Sequence, residues 1–169
     1  MAVATSGTAV LTMPEDTQIL IEREFDAPAR LVYKAITTPE LVKRWWSAKR
    51  GAVTVSDIDL RVGGKWRSVM VTDAGFEVAF HGEYREIVPN ERIVSTEVYE
   101  MPGVEPDAAE ANATVNTVTL TETDGRTRLT TLVQCPSKEV RDAIIESGME
   151  GGMQDAFDLL EEVASSLQS

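Results

Sequence analysis

"SKEVRDAIIESGMEGGMQDAFDLLEEVASSL", residues 137–167, is the stretch that decides the fold. Val140, Ile144, Met149, Met153, Phe157 and Leu160 recur near helical spacing, which predicts one long helix with a single apolar stripe. Ser137 is a plausible cap, and Val140 opens the apolar run. A long helix that is apolar on one side must cover a sheet. Its middle, "GMEGGMQDAF", holds Gly148, Gly151 and Gly152, and a glycine inside a helix costs on the order of 1 kcal/mol relative to alanine. Gly148 and Gly152 are four apart and share a face, with Met149 and Met153 beside them. Two readings follow. The helix has a thin face that packs closely on the sheet with methionines as filler, or it forms a wall whose methionines adapt to a guest.

The sheet has to come from upstream. Between Ala52 and Cys135 the chain reads as strands: "VTVSDIDL", then "GGKWRSVMV" opened by a Gly-Gly turn, then "FEVAFHGEYREI" and "RIVSTEVYE". "TVNTVTLTE" and "TRLTTLVQC" flank the turn "TDGR" and form a hairpin. Before that hairpin, "MPGVEPDAAEANA" reads as a loop of about a dozen residues, long for a compact domain and therefore functional or mobile. At the front, "TQILIEREF" is a strand over about residues 18–25. "DAPARLVYKAITT" follows as a helix capped by Asp26, with Leu31, Val32, Ala35 and Ile36 on one face. Thr38-Pro39 ends it, and Pro39 suits the first turn of a second short helix through Trp45. The fold class is α+β, with a curved antiparallel sheet of six to seven strands around a long C-terminal helix and two short helices after the first strand. A sheet of that size curls, and wrapping it round one helix leaves space between the two.

The 169 residues suit one domain, and a core of that size buries roughly 70% of the unfolded chain's surface without help from metals or disulfides. The expected division is a loosely ordered arm over residues 1–16 and a domain over residues 17–165. The net charge is −12, from 28 acidic and 16 basic residues, and a field of that sign repels nucleic acid and anionic membranes. The acidity is either a solubilising surface or a docking face for a basic protein partner. No apolar run approaches ~20 residues, so membrane insertion is not expected. The first sixteen residues lack a basic start and an unbroken apolar stretch, so a signal peptide is not expected either. One cysteine, Cys135, excludes an intrachain disulfide and suits a reducing compartment; the expected address is the cytoplasm.

Strand alternation sorts residues by face. Trp66, Ser68 and Met70 share one face, and Lys65, Arg67 and Val69 the other. Val78, Phe80, Gly82 and Tyr84 oppose Glu77, Ala79, His81, Glu83 and Arg85. Leu129, Thr131, Val133 and Cys135 form another row. Turned toward the helix, these rows make a concave wall of large apolar residues, with Ser68, Gly82 and Thr131 either tolerated in a packed core or leaving room for a guest. In "RIVSTEVYE", an inward Ile93 brings Ser95, Glu97 and Tyr99 inward with it. A buried Glu97 would have its pKa raised by desolvation and could hold a ligand or act as a general acid or base. A bulge that turns Val94, Thr96 and Val98 inward would leave Glu97 in water. His81 falls on the polar face and reads as a surface residue without a convincing partner. One His and one Cys on different strands make no metal site, "RVGGKW" leads into a strand and is no phosphate loop, and no cofactor is called for.

"REFDAPARLVYKAITTPELVKRWW", "DLRVGGKWRSVM", "GEYREIVPNERIVSTE" and "GMEGGMQDAFDLLEEVA", in that order, resemble the domain related to the C-terminal part of the activator of the ninety-kilodalton heat-shock chaperone's ATPase. That domain belongs to the START-like superfamily of helix-grip folds, with birch-pollen-allergen-like proteins and polyketide cyclases. The resemblance covers about residues 17–164. It implies a sheet gripping the C-terminal helix around a hydrophobic cavity, with the two short helices forming a V that closes one end. One of Trp45 and Trp46 would then anchor the helix pair while the other sits at the cavity rim or on the surface. The eukaryotic namesake carries a separate N-terminal domain that engages the chaperone. Sixteen residues precede the first strand here, so the family name is not expected to describe an activity.

The favoured expectation is a binding protein for a small apolar or aromatic molecule, held by Trp46, Trp66, Met70, Phe80, Tyr84, Glu97, Tyr99, Met149, Met153 and Phe157. The alternatives are an enzyme of the cyclase, dehydratase or hydrolase kind using Glu97 as acid/base with Tyr84 or Tyr99 as donor, and an interaction module that docks its acidic face on a chaperone or regulator. Edge strands and the glycine-bearing helix would support a homodimer, which nothing in the pattern demands.

Overall fold

A computed structural model describes residues 9–100 and 103–168. The chain runs β1 (Val10–Thr12), β2 (Gln18–Phe25), α1 (Ala29–Thr37), α2 (Pro39–Val42), β3 (Gly51–Ile58), β4 (Lys65–Thr72), β5 (Glu77–Val88), β6 (Arg92–Tyr99), α3 (Pro106–Ala111), β7 (Thr114–Thr123), β8 (Arg126–Gln134), α4 (Lys138–Glu146) and α5 (Met149–Ser166). The strands form one antiparallel, unclosed sheet in the order β1-β2-β8-β7-β6-β5-β4-β3. This is the α+β helix-grip architecture, with eight strands where the sequence suggested six or seven.

The added strand lies in the expected arm. Residues 1–8 are outside the described part, but Val10–Thr12 pairs with β2. Ala9 and Leu11 have no exposed surface, and Gln154 of α5 bonds both backbone groups of Ala9. The Ala9 N–H donates to Oε1 at 3.0 Å and Nε2 donates to the Ala9 carbonyl at 2.8 Å. Three residues are too few for a readable alternation, and the bonds that hold them come from the other end of the chain.

Other differences have local causes. Asp26 does not cap α1. The helix begins at Ala29 after an extended Pro28, and the Ala29 N–H donates to Glu122 Oε1 at 2.7 Å, so β7 supplies the cap. The second short helix ends at Val42, and turns continue to Lys49. The expected long helix is two helices. Gly148 has φ 83°, a left-handed conformation that breaks the hydrogen-bond ladder between α4 and α5. Ser137 does cap α4, accepting from the Val140 N–H at 3.2 Å. The segment expected as loop before β7 holds α3, six residues long.

Packing is uneven, and that creates the site. One core gathers Phe25, Val32, Ala35, Leu120, Leu129, Leu160 and Val163 under α1 and the C-terminal half of α5. A second gathers Ala9, Leu11, Ile19, Ile21, Val133 and Cys135 against α4 and the start of α5. Phe157 packs on both, and its ring meets Phe25 edge-on at 5.7 Å. Both cores draw their strands from the β1-β2-β8-β7 half of the sheet. The β3–β6 half contributes no residue to either core.

A candidate ligand site between sheet and helices

The space left over is a cavity of about 920 Å³. Its sheet wall includes Trp66, Ser68 and Met70 of β4, Val78, Phe80 and Tyr84 of β5, and Ile93, Ser95, Glu97 and Tyr99 of β6, and it extends to Asn116 of β7 and Thr131 of β8. Met149, Gly152, Met153 and Phe157 of α5 face them, and Trp46 closes one side. All ten residues nominated from the sequence border this one space. Val104, Ala109 and Asn112, around α3, border it as well. Their contribution was hidden because a segment rich in Ala, Glu and Asp carries no period that marks an inner face.

The tandem tryptophans divide the work. Trp45 packs on the core under α1, and its Nε1–H donates to the Ala35 carbonyl at 3.0 Å, anchoring the helix pair. Trp46 turns across to Phe80 and meets it edge-on at 5.7 Å. Phe80 in turn stacks on Tyr99 at 5.0 Å. Trp45 and Trp46 both border the cavity.

Glu97 points inward. The bulge that would have turned it out exists, but it lies on β5 between Tyr84 and Glu86 and leaves the inner row of β6 unchanged. Protein encloses the carboxyl, and the surface it retains is cavity surface. Burial pushes its pKa up, offset in part by the Asn116 Nδ2–H that donates to Oε1 at 3.4 Å. Asn116 is itself oriented by the Thr114 hydroxyl, which donates to Oδ1 at 3.1 Å. Burial also pushes the Tyr84 phenol up to about 12, with a smaller push from Tyr33, so it stays protonated and uncharged.

Gly82 serves a different end from the roominess read in the sequence. A Cβ there would overlap the Thr96 carbonyl and lie 2.6 Å from Trp66 Nε1. The bare backbone lets the indole lie across β5 and donate to the Thr96 carbonyl at 3.2 Å. The α5 glycines also depart from close packing. A Cβ on Gly152 would meet nothing within 4 Å, and one on Gly151 would meet only Arg50 Nη2 at 3.5 Å. Gly152 therefore widens the cavity.

His81 has partners after all. On the opposite face of the sheet its Nδ1 lies 2.8 Å from Glu100 and its Nε2 lies 3.1 Å from Glu110 of α3. Arg67 holds Glu100 with two bonds of 2.8 Å. That bidentate pairing is the largest reason the Glu100 carboxyl falls to about 2. Burial lowers the His81 pKa, but its bonds to Glu110 and Glu100 outweigh this and leave it raised. The partners were unreadable because one sits at the end of a neighbouring strand and the other on an unforeseen helix. Among the described residues no cluster of three or more His, Cys, Asp or Glu is arranged to hold a metal, and no helix is long and apolar enough to cross a membrane.

Comparison with known proteins agrees with the fold. The model of the family described as Activator of Hsp90 ATPase homolog 1-like protein matches residues 26–165. A solved protein from Rhodobacter sphaeroides superposes with a TM-score of 0.82 at 24% identity, over 94% of this chain and 98% of its own. One from Arthrobacter aurescens gives 0.82 at 25% identity, over 92% and 91%. One from Chromobacterium violaceum gives 0.75 at 26% identity, over 89% and 98%. No curated protein matches by sequence.

Proposed function

The chain belongs to the Activator of Hsp90 ATPase homolog 1-like family, and on that footing we propose that it binds a small apolar or aromatic molecule between its sheet and α5. The observation that carries this reading is the cavity: about 920 Å³ left open beside two well-packed cores. Ligand pockets of about 300–1,000 Å³ with apolar walls and a few converging polar groups fit that description. Trp46, Trp66, Met70, Phe80, Met149, Met153 and Phe157 supply the walls, and Glu97, Tyr84 and Tyr99 orient the guest. A cavity that served only as slack would be a net cost, because unfilled volume forfeits dispersion contacts. The buried thiol of Cys135, its pKa pushed up by burial, is compatible with a cytoplasmic setting.

The test is titration with N-phenylnaphthylamine, an uncharged dye that brightens in apolar surroundings. Saturable one-to-one binding is expected, and Gly152→Phe, which projects a ring into the open space, is expected to abolish it while the fold persists by circular dichroism. Absence of saturable binding to the folded wild-type protein, or equal binding by the blocked variant, overturns the reading.

A further inference from the structure

Four groups bordering the cavity can ionise: Arg50, Tyr84, Glu97 and Tyr99. Arg50 is already paired, its Nη2 lying 3.2 Å from Asp155 Oδ2. Burial holds the Tyr84 phenol neutral. Glu97 alone is uncompensated. Its carboxyl is enclosed, and among the described residues its one hydrogen bond is the long one from Asn116 and no positive charge acts on it. The neighbouring basic side chains, Arg67 and His81, belong to the opposite face and are engaged by Glu100 and Glu110. A buried carboxylate without a counter-charge is unfavourable, so Glu97 ionises readily only when something brings one.

The walls suit such a guest. Phe80 and Tyr99, stacked on each other, and Trp46, edge-on to Phe80, all border the same space, and aromatic rings attract cations. Trp66 lies across Gly82 toward the strand that carries Glu97. The net charge of −12 concentrates cations near the protein and repels anions. Resting on the cavity reading above, we propose that the site selects an organic cation: an apolar or aromatic body that fills the space before α5, bearing one protonated amine that pairs with the Glu97 carboxylate. The proton balance is simple. An ammonium that arrives while Glu97 still holds its proton displaces that proton to solvent, and one that arrives when Glu97 is ionised displaces none.

The test compares naphthylmethylamine, charged at neutral pH, with its neutral isostere naphthylmethanol, by calorimetry on wild-type protein and on Glu97→Gln. The wild type is expected to favour the amine by about tenfold or more, the scale of one charge-assisted bond. Glu97→Gln is expected to lose that preference, so that amine and alcohol bind the variant equally. Proton release on amine binding, read in two buffers of different ionisation enthalpy, is expected to be largest at low pH and absent in the variant. Equal affinities in the wild type, or a preference that survives Glu97→Gln, overturns the amine assignment and leaves the cavity standing. Failure of both probes to bind overturns both readings.

Discussion

Gly82 and Glu97 show how one residue on each of two neighbouring strands shapes the cavity wall. Trp66 can cross β5 only because residue 82 has no side chain. Gly82→Ala is therefore expected to destabilise the protein by about 1–3 kcal/mol, the cost of overpacking. Urea denaturation checks it, and unchanged stability would mean that the indole has another resting place. Glu97 carries the opposite tension. Its folded pKa is raised by burial, so the neutral acid is well accommodated below the unfolded value of about 4.3, and that advantage is lost as pH rises through the folded pKa. Glu97→Gln should therefore melt higher than wild type at about pH 7–8 and converge with it toward about pH 4. A variant that melts lower at neutral pH would contradict the account. Strand alternation was enough to place Glu97 inward. It could not show what Gly82 is for, because a glycine in a strand reads the same whether it makes room for a ligand or for an indole.

Among the elements, α5 combines packing with an open face. Leu160 and Val163 are buried in the core, whereas Gly152, two turns earlier, borders the cavity with nothing near it. Gly152→Ala should thus stabilise the protein by about 0.5–1 kcal/mol through helix propensity, with no clash. It should also weaken N-phenylnaphthylamine binding, because its methyl occupies the guest's space. Paired denaturation and dye titration check this, and a variant that binds as well as wild type would place the guest elsewhere. The apolar stripe of residues 140–160 was legible from spacing. The break at Gly148 was not, since the stripe runs on across it. The cap of α1 was equally hidden, because Glu122 reaches it from a distant strand.

At the scale of the whole molecule, α3 is tied across the end of the sheet. Ala109 faces the cavity while Glu110 reaches His81 on the other side. The His81 pKa is raised, so the tie is fully present below the unfolded value of about 6.5 and is lost as pH rises through the folded value. The Glu100 pKa is lowered to about 2, so its contribution is full above the unfolded carboxylate value and is lost as pH falls through about 2. Amide exchange of residues 107–111, corrected for intrinsic rates, should therefore be slowest at about pH 5–6 and quicken toward about pH 8–9. His81→Leu should remove that pH dependence, and protection that stays flat in the wild type would refute the tie. At this scale the order of elements and the four family-like motifs made the helix-grip fold legible. The eighth strand, the α3 closure and the His81 partners were illegible, because each depends on contacts between segments far apart in sequence.

The central claim is that the space between the sheet and α5 takes a guest. The most direct measurement is methyl NMR with labelled methionines during titration with N-phenylnaphthylamine. Met70, Met149 and Met153 border the cavity and Met13 does not. The account predicts saturable shifts at those three methyls with Met13 unmoved. Shifts that spare the three, or that appear equally at Met13, would contradict it.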